Sequence, residues 1–260
     1  NIMTVLKVGR FSLTVMLFTL ATCFGVGYFI GKALGLNWKM SNLISAGTGI
    51  CGGSAIAAIA PVIDATDVDV AYGMSATFLF DMAMIVLFPI LGRWLSLSDA
   101  AYGLWAGTAV NDTSSVVAAG YAFSEQAGDF ATMVKLTRTL AIIPITLVLA
   151  LWRTHKAKTE QSKGGEAFSL KRAFPMFILY FVLASIITTV CTTVGVPAGV
   201  FTPLKTLSKF FIVMAMAAIG MNTNIVKLVK TGGKPIFMGF CCWVAIACVS
   251  IAMQHLLGFL

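Results

Sequence analysis

Charged side chains make up only 11% of this chain, and its aspartates and glutamates together number ten. A soluble domain of this length carries about a quarter charged residues, so so thin a polar complement excludes one. Histidine is confined to His155 and His255. The six cysteines, Cys23, Cys51, Cys191, Cys241, Cys242 and Cys248, sit in or beside apolar stretches without metal-ligand spacing. Neither a zinc site nor a disulfide framework is therefore expected, and no catalytic or cofactor-binding motif appears. The first apolar run is long and lacks a small-residue cleavage pattern, so no removable signal peptide is read there.

What the chain does have is apolar length: 58% hydrophobic residues and a mean hydropathy of +0.92. A helix needs about 20 apolar residues to cross a ~30 Å hydrocarbon core. Segments 11–31, 70–92, 128–152, 173–193 and 234–257 meet that length without interruption. Segments 41–62, 99–123 and 204–222 are long enough but broken by glycine or polar residues. The expectation is an all-α, multi-pass membrane protein with eight crossings, one membrane domain over residues 1–260.

The net charge of +8 reads as topology and not as a nucleic-acid surface, because the basic residues fall in short loops. With Asn1 outside, the positive-inside rule puts Lys32, Lys39, Arg93, the basic run from Arg153 to Arg172, Lys227, Lys230 and Lys234 in the cytoplasm. Asp64, Asp67, Asp69, Glu125 and Asp129 then face outward, with Lys7, Arg10, Lys205 and Lys209 as exceptions. Re-entrant hairpins at 41–62 and 99–123 would move the Asp64–Asp69 cluster in and Arg93 out; the all-spanning arrangement fits the charges better. Thr154 to Leu170, with Gly164 and Gly165, reads as a cytoplasmic loop.

An alanine-rich motif, Ala55-Ile56-Ala57-Ala58-Ile59-Ala60-Pro61, returns 160 positions later as Ala215-Met216-Ala217-Ala218-Ile219-Gly220-Met221. Five crossings separate the copies, so they run in opposite directions, as in an inverted-topology transporter repeat. Five-helix repeats then divide the chain into 1–95 and 99–260, with two helices missing from the first. The opening on Asn1 instead of methionine agrees with missing preceding residues. A second similarity, Ala46-Gly47-Thr48 with Ser54 and Ala58 against Ala106-Gly107-Thr108 with Ser114 and Ala118, joins crossings that run parallel in this topology. It reads as two chain breaks of one local type, not as inversion.

Gly47, Gly49, Gly52 and Gly53 each weaken a helix by about 1 kcal/mol relative to alanine, and the stretch from Asn111 to Ser115 offers caps in place of propagation. Unwound backbone at membrane depth persists only in protein or beside a wet cavity. The breaks therefore mark a site.

These residues also carry a resemblance. Gly47 to Ala58, the Gly107–Gly120 stretch with Asn111-Asp112-Thr113, Lys135-Leu136-Thr137-Arg138, and Met214 to Gly220 resemble the bacterial YeiH-type sulfate exporter family (UPF0324), in order over nearly the whole chain. The resemblance implies additional N-terminal helices, an inverted five-helix repeat with crossed broken helices, kinship with cation/proton antiporters and bile-acid symporter-like transporters, and a place in the bacterial plasma membrane. Where relatives often carry histidine before the aspartate, this chain has Asn111.

Asp81, Asp112, Lys135 and Arg138 lie deep in predicted spans, where a charge costs at least about 2.5 to 3.5 kcal/mol and marks a functional candidate. Lys135 and Arg138 share a helix face and could turn toward an anion near the midplane. The reading makes Asp112, with Asp81, the coupling group for a proton or sodium ion; static neutralisation of the two bases is the alternative. For the anion, the half-helix starting at Gly53 and Ser54 offers free N–H groups, with Gly52 permitting close approach. Thr48, Ser54, Thr113, Ser114 and Ser115 add hydroxyls, Asn111 an amide, and Asn222 and Thr223 close the counterpart segment. The expected protein is a secondary transporter exporting a small anion, sulfate or sulfonate-like, and not an enzyme. Its partners are that anion, the coupling ion and membrane lipid, and its oligomeric state is open. Alternatives are an anion channel and an intramembrane aspartyl hydrolase using Asp81 and Asp112 as a proton-sharing dyad, though the glycine-x-glycine-aspartate context of presenilin-like proteases is missing around both.

Overall fold

A computed structural model describes the backbone of residues 2–161 and 232–258 and scattered positions between 183 and 214. The segments at 173–193 and 204–222, the second copy of the alanine-rich motif, and Asn222 and Thr223 lie wholly or mostly outside the described residues.

The long apolar runs become long helices. α1 covers Ile2–Ala33 and α4 Asp67–Trp94, and the reciprocal capping box between Thr66 and Asp69 starts α4. α7 (Glu125–Thr139) and α8 (Ile142–Gln161) follow each other, and the last helix, α9, is Gly233–Leu256. The break at residues 140 and 141 precedes Pro144, which has no N–H to return to the preceding turn. Ser12–Ala33, Asp67–Trp94, Glu125–Trp152 and Gly233–Leu256 are long and apolar enough to cross a membrane, which makes this an all-α, multi-span membrane fold. α8 also takes in Thr154–Gln161, the first half of the stretch expected to be a loop.

The two interrupted segments break where the glycines and caps are. In the first, α2 (Trp38–Ala46) passes through one π-type turn, Gly47–Cys51, to Gly52, and α3 begins at Gly53 and ends at Ile63. In the second, α5 (Asp99–Ala109) gives way to extended backbone at Val110 and Asp112 before α6 (Thr113–Phe123). Each half-helix is 9 to 11 residues, about half of what a crossing needs.

Their outer ends show that neither segment crosses. Lys39, at the start of α2, donates from Nζ to the Asp64 carbonyl just past α3 at 2.6 Å; an in-line pair would hold these residues about 35 Å apart. In the second segment Ser124 Oγ donates to Asp99 Oδ1 at 2.6 Å, Tyr102 OH to the Ala119 carbonyl at 2.9 Å, and Tyr102 stacks on Phe123 with centroids 3.9 Å apart. Both are re-entrant hairpins, which corrects the all-spanning expectation.

The hairpins enter from opposite ends of the bundle. α4 starts just past the mouth of hairpin 1 and ends at the mouth of hairpin 2, where the Arg93 guanidinium donates to the Ala122 carbonyl at 2.8 Å. Its 28 residues separate the mouths by about 42 Å. Asp64, Asp67 and Asp69 therefore share an end with Lys32 and Lys39, and Arg93 shares the other with Glu125 and Asp129, opposite to the expected sides. The positive-inside rule could not detect this, because acids weigh little in it and one arginine is a small term.

The similarity at an offset of 60 changes meaning accordingly. α1 with hairpin 1 and α4 with hairpin 2 are successive helix-then-hairpin units running in opposite directions, so the similarity relates inverted segments and not parallel ones.

Labelling from the two sides of a membrane tests the topology. In a cysteine-free background, single cysteines at Asn37 and Ala65 should react from one face and a cysteine at Ser96 from the opposite face. Opposite reactivity of 37 and 65 would restore the crossing arrangement.

Close helix approach and a buried polar seam hold the hairpins in the bundle. A Cβ on Gly107 would stand 2.7 Å from Val134 Cβ, and one on Gly120 would stand 2.8 Å from Gly128 Cα, so α5 and α6 press onto α7 backbone to backbone, as small residues permit in membranes. Along α9, Trp105 Nε1 donates to the Ala247 carbonyl at 3.0 Å and the Thr108 and Ser250 hydroxyls meet at 2.6 Å.

Candidate functional site

A helix that stops inside a membrane leaves its last carbonyls unpaired and the negative end of its dipole exposed. The two hairpin tips create two such ends at one place. α7 meets them with Lys135 and Arg138, one turn apart and both fully buried.

Lys135 Nζ donates to Ile50 O at 2.9 Å in tip 1, and to Val110 O at 2.9 Å and Asn111 O in tip 2. Arg138 Nε donates to Gly49 O at 2.6 Å and its terminal nitrogens to Thr48 O at 2.8 Å and Val110 O at 3.3 Å. Each cation thus bonds both tips, and all of these acceptors are main-chain carbonyls. The two bases, expected to turn toward an anion, spend these hydrogen bonds on the main chain of the tips. This arrangement also differs from neutralisation by Asp81 and Asp112, since neither base spends a hydrogen bond on a carboxylate.

The N-terminal sides of the tips are unlike each other. Asp112 is the N-cap of α6: its carboxylate accepts from the Ser114 N–H at 2.9 Å and from the Ser114 hydroxyl. Asp81, buried in the middle of α4, sends Oδ1 to the Asp112 N–H at 3.0 Å. α6 therefore starts under two carboxylates. α3 starts with no side-chain cap, because its N-cap residue is Gly52; the nearby Ser54 hydroxyl turns back to the Cys51 carbonyl at 2.9 Å and lies 3.0 Å from Cys51 Sγ. The bare α3 terminus is next to Asp112: a Cβ on Gly52 would stand 3.0 Å from Asp112 Oδ1. Gly52 has φ +69° and ψ −137°, a backbone region reserved in practice for glycine.

Of the expected site residues, these contacts join Thr48, Gly52, Asp81, Asn111, Asp112, Ser114, Lys135 and Arg138 at the tips. Thr48 takes part through its carbonyl; Gly52 and Gly53 are buried at tip 1 and Ser54 is exposed; Asn111 and Ser115 are buried, Asp112 and Thr113 half-buried, and Ser114 exposed. Thr108, by contrast, back-bonds Leu104 O at 2.6 Å within its own helix. The carbonyls of Gly49, Ile50 and Val110 were missed by reading side chains. Their signal was indirect: two bases three residues apart, few acids to meet them, and two unwound tips in need of donors. No three His, Cys, Asp or Glu side chains converge as a metal site among the described residues.

Apolar spanning helices, two opposed re-entrant hairpins and a buried ionic junction at their tips define a polytopic α-helical membrane protein. Residues 1–239 match the family described as Conserved hypothetical protein 698. The chain is 50% identical to a UPF0324 membrane protein of Clostridium tetani over 98% of its own length and 75% of the relative's. It is 54% identical to the UPF0324 membrane protein spyM18_1033 of Streptococcus pyogenes serotype M18, over 99% of this chain and 77% of the other. A UPF0324 membrane protein of Streptococcus pneumoniae serotype 4 is 50% identical over 99% and 76%. The chain belongs to the UPF0324 family of multi-pass bacterial membrane proteins. No solved structure matches it significantly.

Proposed function

We propose that the protein is a secondary transporter of the bacterial plasma membrane that exports a small anion of the sulfate or sulfonate type. The observation that carries this reading is the uncapped N-terminus of α3, buried at a hairpin tip beside Asp112. Free N–H groups at a helix start attract an anion through direct hydrogen bonds and the positive end of the dipole. The glycine at position 52 lets the anion come close to the main chain.

Alternating access is favoured over a channel because each hairpin ends blindly at the same clamp, so a path from either side meets the Lys135 and Arg138 junction. The opposed helix-then-hairpin units support an inverted repeat; the five-helix division at residues 1–95 and 99–260 remains part of this proposal. Transport is favoured over an aspartyl hydrolase because Asp81 takes the Asp112 main-chain N–H and the Asp112 carboxylate takes Ser114. Lys32 and Lys39 at the mouth of hairpin 1, with Arg153, Lys156 and Lys158 near the end of α8, orient that end to the cytoplasm by the positive-inside rule.

Asp112 sits where it repels the anion it flanks. Asp112→Asn keeps an α6 cap and removes the charge, so anion affinity should rise on the order of tenfold, within the usual range of coupling energies. Binding and flux of sulfate, sulfite, thiosulfate and taurine by purified protein and proteoliposomes check this. If Ser54→Ala, Gly52→Ala and Asp112→Asn all leave anion binding and flux unchanged, the site assignment is wrong.

A further inference from the structure

Asp81 and Asp112 touch the same helix start but are not in the same position. The Asp112 carboxylate is half-buried and already receives two donors from Ser114. Asp81 is 3% exposed; its Oδ1 accepts from the Asp112 N–H, the Asn111 N–H also lies toward the carboxyl group, and Oδ2 makes no hydrogen bond. Asn111, the residue before Asp112, is fully buried with neither its side-chain amide oxygen nor nitrogen partnered. The first turn of α6 thus adjoins three buried polar atoms that the protein leaves unsatisfied.

A buried carboxylate with one oxygen lacking a donor is costly to keep charged, because the desolvation penalty of an ion is returned only through partners. The bases nearby do not offer themselves as those partners, since Lys135 and Arg138 give their hydrogen bonds to the tip carbonyls. A proton on Oδ2 removes the charge while Oδ1 keeps the α6 N–H. The groups that face Asp81 are Asp112 from tip 2, Lys135 and Arg138 from α7, and near them Cys51 from tip 1. α3 brings no charged side chain to this region, and the charged residues of α2 and α9, Lys39 and Lys234, lie at their outer ends.

The geometry points to Asp81, and not Asp112, as the proton-carrying group, and to a proton and the anion binding together. This rests on the anion site proposed at the α3 terminus. When Asp81 is charged, it and Asp112 place two negative groups at the junction of the tips, beside the bare helix start; protonation removes one, and the anion binds more easily. By linkage the anion must then raise proton affinity by the same factor. The sign of coupling is therefore symport. An anion accumulated inside would leave with a proton down its own gradient, and an acid interior would speed its exit.

Infrared spectroscopy of the purified protein reads the proton without any transported substrate. The wild type at mildly acidic pH should show the carbonyl stretch of a protonated carboxyl group, shifted in heavy water and lost as pH rises. The band should disappear in Asp81→Asn and persist in Asp112→Asn. A band absent at every pH, as for a carboxylate solvated by trapped water, or one lost only in Asp112→Asn, overturns the assignment. In proteoliposomes loaded with labelled sulfate, sulfite, thiosulfate or taurine, an acid interior should accelerate efflux on the order of tenfold. Asp81→Asn, nearly isosteric and checked by monodisperse elution, should abolish that acceleration. Acceleration by an alkaline interior, or none in the wild type, overturns symport. If no anion moves yet the Asp81 band is present, the anion reading falls and the protonation stands; flux without the band gives the reverse.

Discussion

Arg138→Ala should fail to yield a protein that melts cooperatively with the wild type, and should elute largely as aggregate after extraction. The side chain is fully buried and makes three hydrogen bonds, to Thr48 O and Gly49 O in one tip and Val110 O in the other. Hydrogen bonds to a charged group are worth about 1.5 to 3 kcal/mol each, and buried carbonyls left without a donor add a cost of their own. A loss of at least about 3 kcal/mol is large against the 5 to 15 kcal/mol that holds an ordinary domain together. Arg138→Lys keeps the charge but not the planar fork that serves both tips, so it should recover only part of the melting temperature. Thermal-shift chromatography measures both; an Arg138→Ala melting point equal to wild type would mean that the tips do not depend on this clamp.

Gly52→Ala should leave the protein folded and weaken anion binding. Its backbone conformation costs a side-chain-bearing residue about 1 to 3 kcal/mol, and the new Cβ would stand 3.0 Å from Asp112 Oδ1 and 3.2 Å from Asp112 Cα. Relief of that contact moves the two tips apart or turns Gly53 and Ser54 out of register. A fall in anion affinity of tenfold or more is expected, read by the same binding screen. Gly25→Ala is the control: a Cβ there meets nothing within 4 Å, and alanine is the better helix former by about 1 kcal/mol. Equal anion affinity in Gly52→Ala and wild type would move the binding site away from tip 1.

Much of this arrangement was legible along the chain. The clusters at Gly47–Gly53 and Asn111–Ser115 announced breaks because glycine and capping residues disfavour helix locally, and the breaks fall at Gly52 and at residues 110–112. Lys135 and Arg138 were readable as one face because three residues are nearly one turn. Their partners were not readable, since a carbonyl is carried by every residue and only an unwound helix end makes it an acceptor for a buried base. Reading by side-chain charge pointed these cations at an anion or at Asp81 and Asp112 instead.

Composition and local propensity by themselves determined that the chain lives in a membrane, which segments are long enough to span it, where two of them break and which four ionisable residues lie at depth. Those properties depend on transfer free energy and on backbone preference within a few residues, so sequence carries them directly. Whether a broken segment crosses or turns back depends on contacts between residues 25 apart, Lys39 with Asp64 and Asp99 with Ser124. Half-helices of 9 to 11 residues have the same hydropathy in either arrangement, and loop charges were too few to separate them. Only the folded chain, by closing both hairpins and driving their tips onto Lys135 and Arg138 from opposite ends, decided that the two breaks meet at one junction.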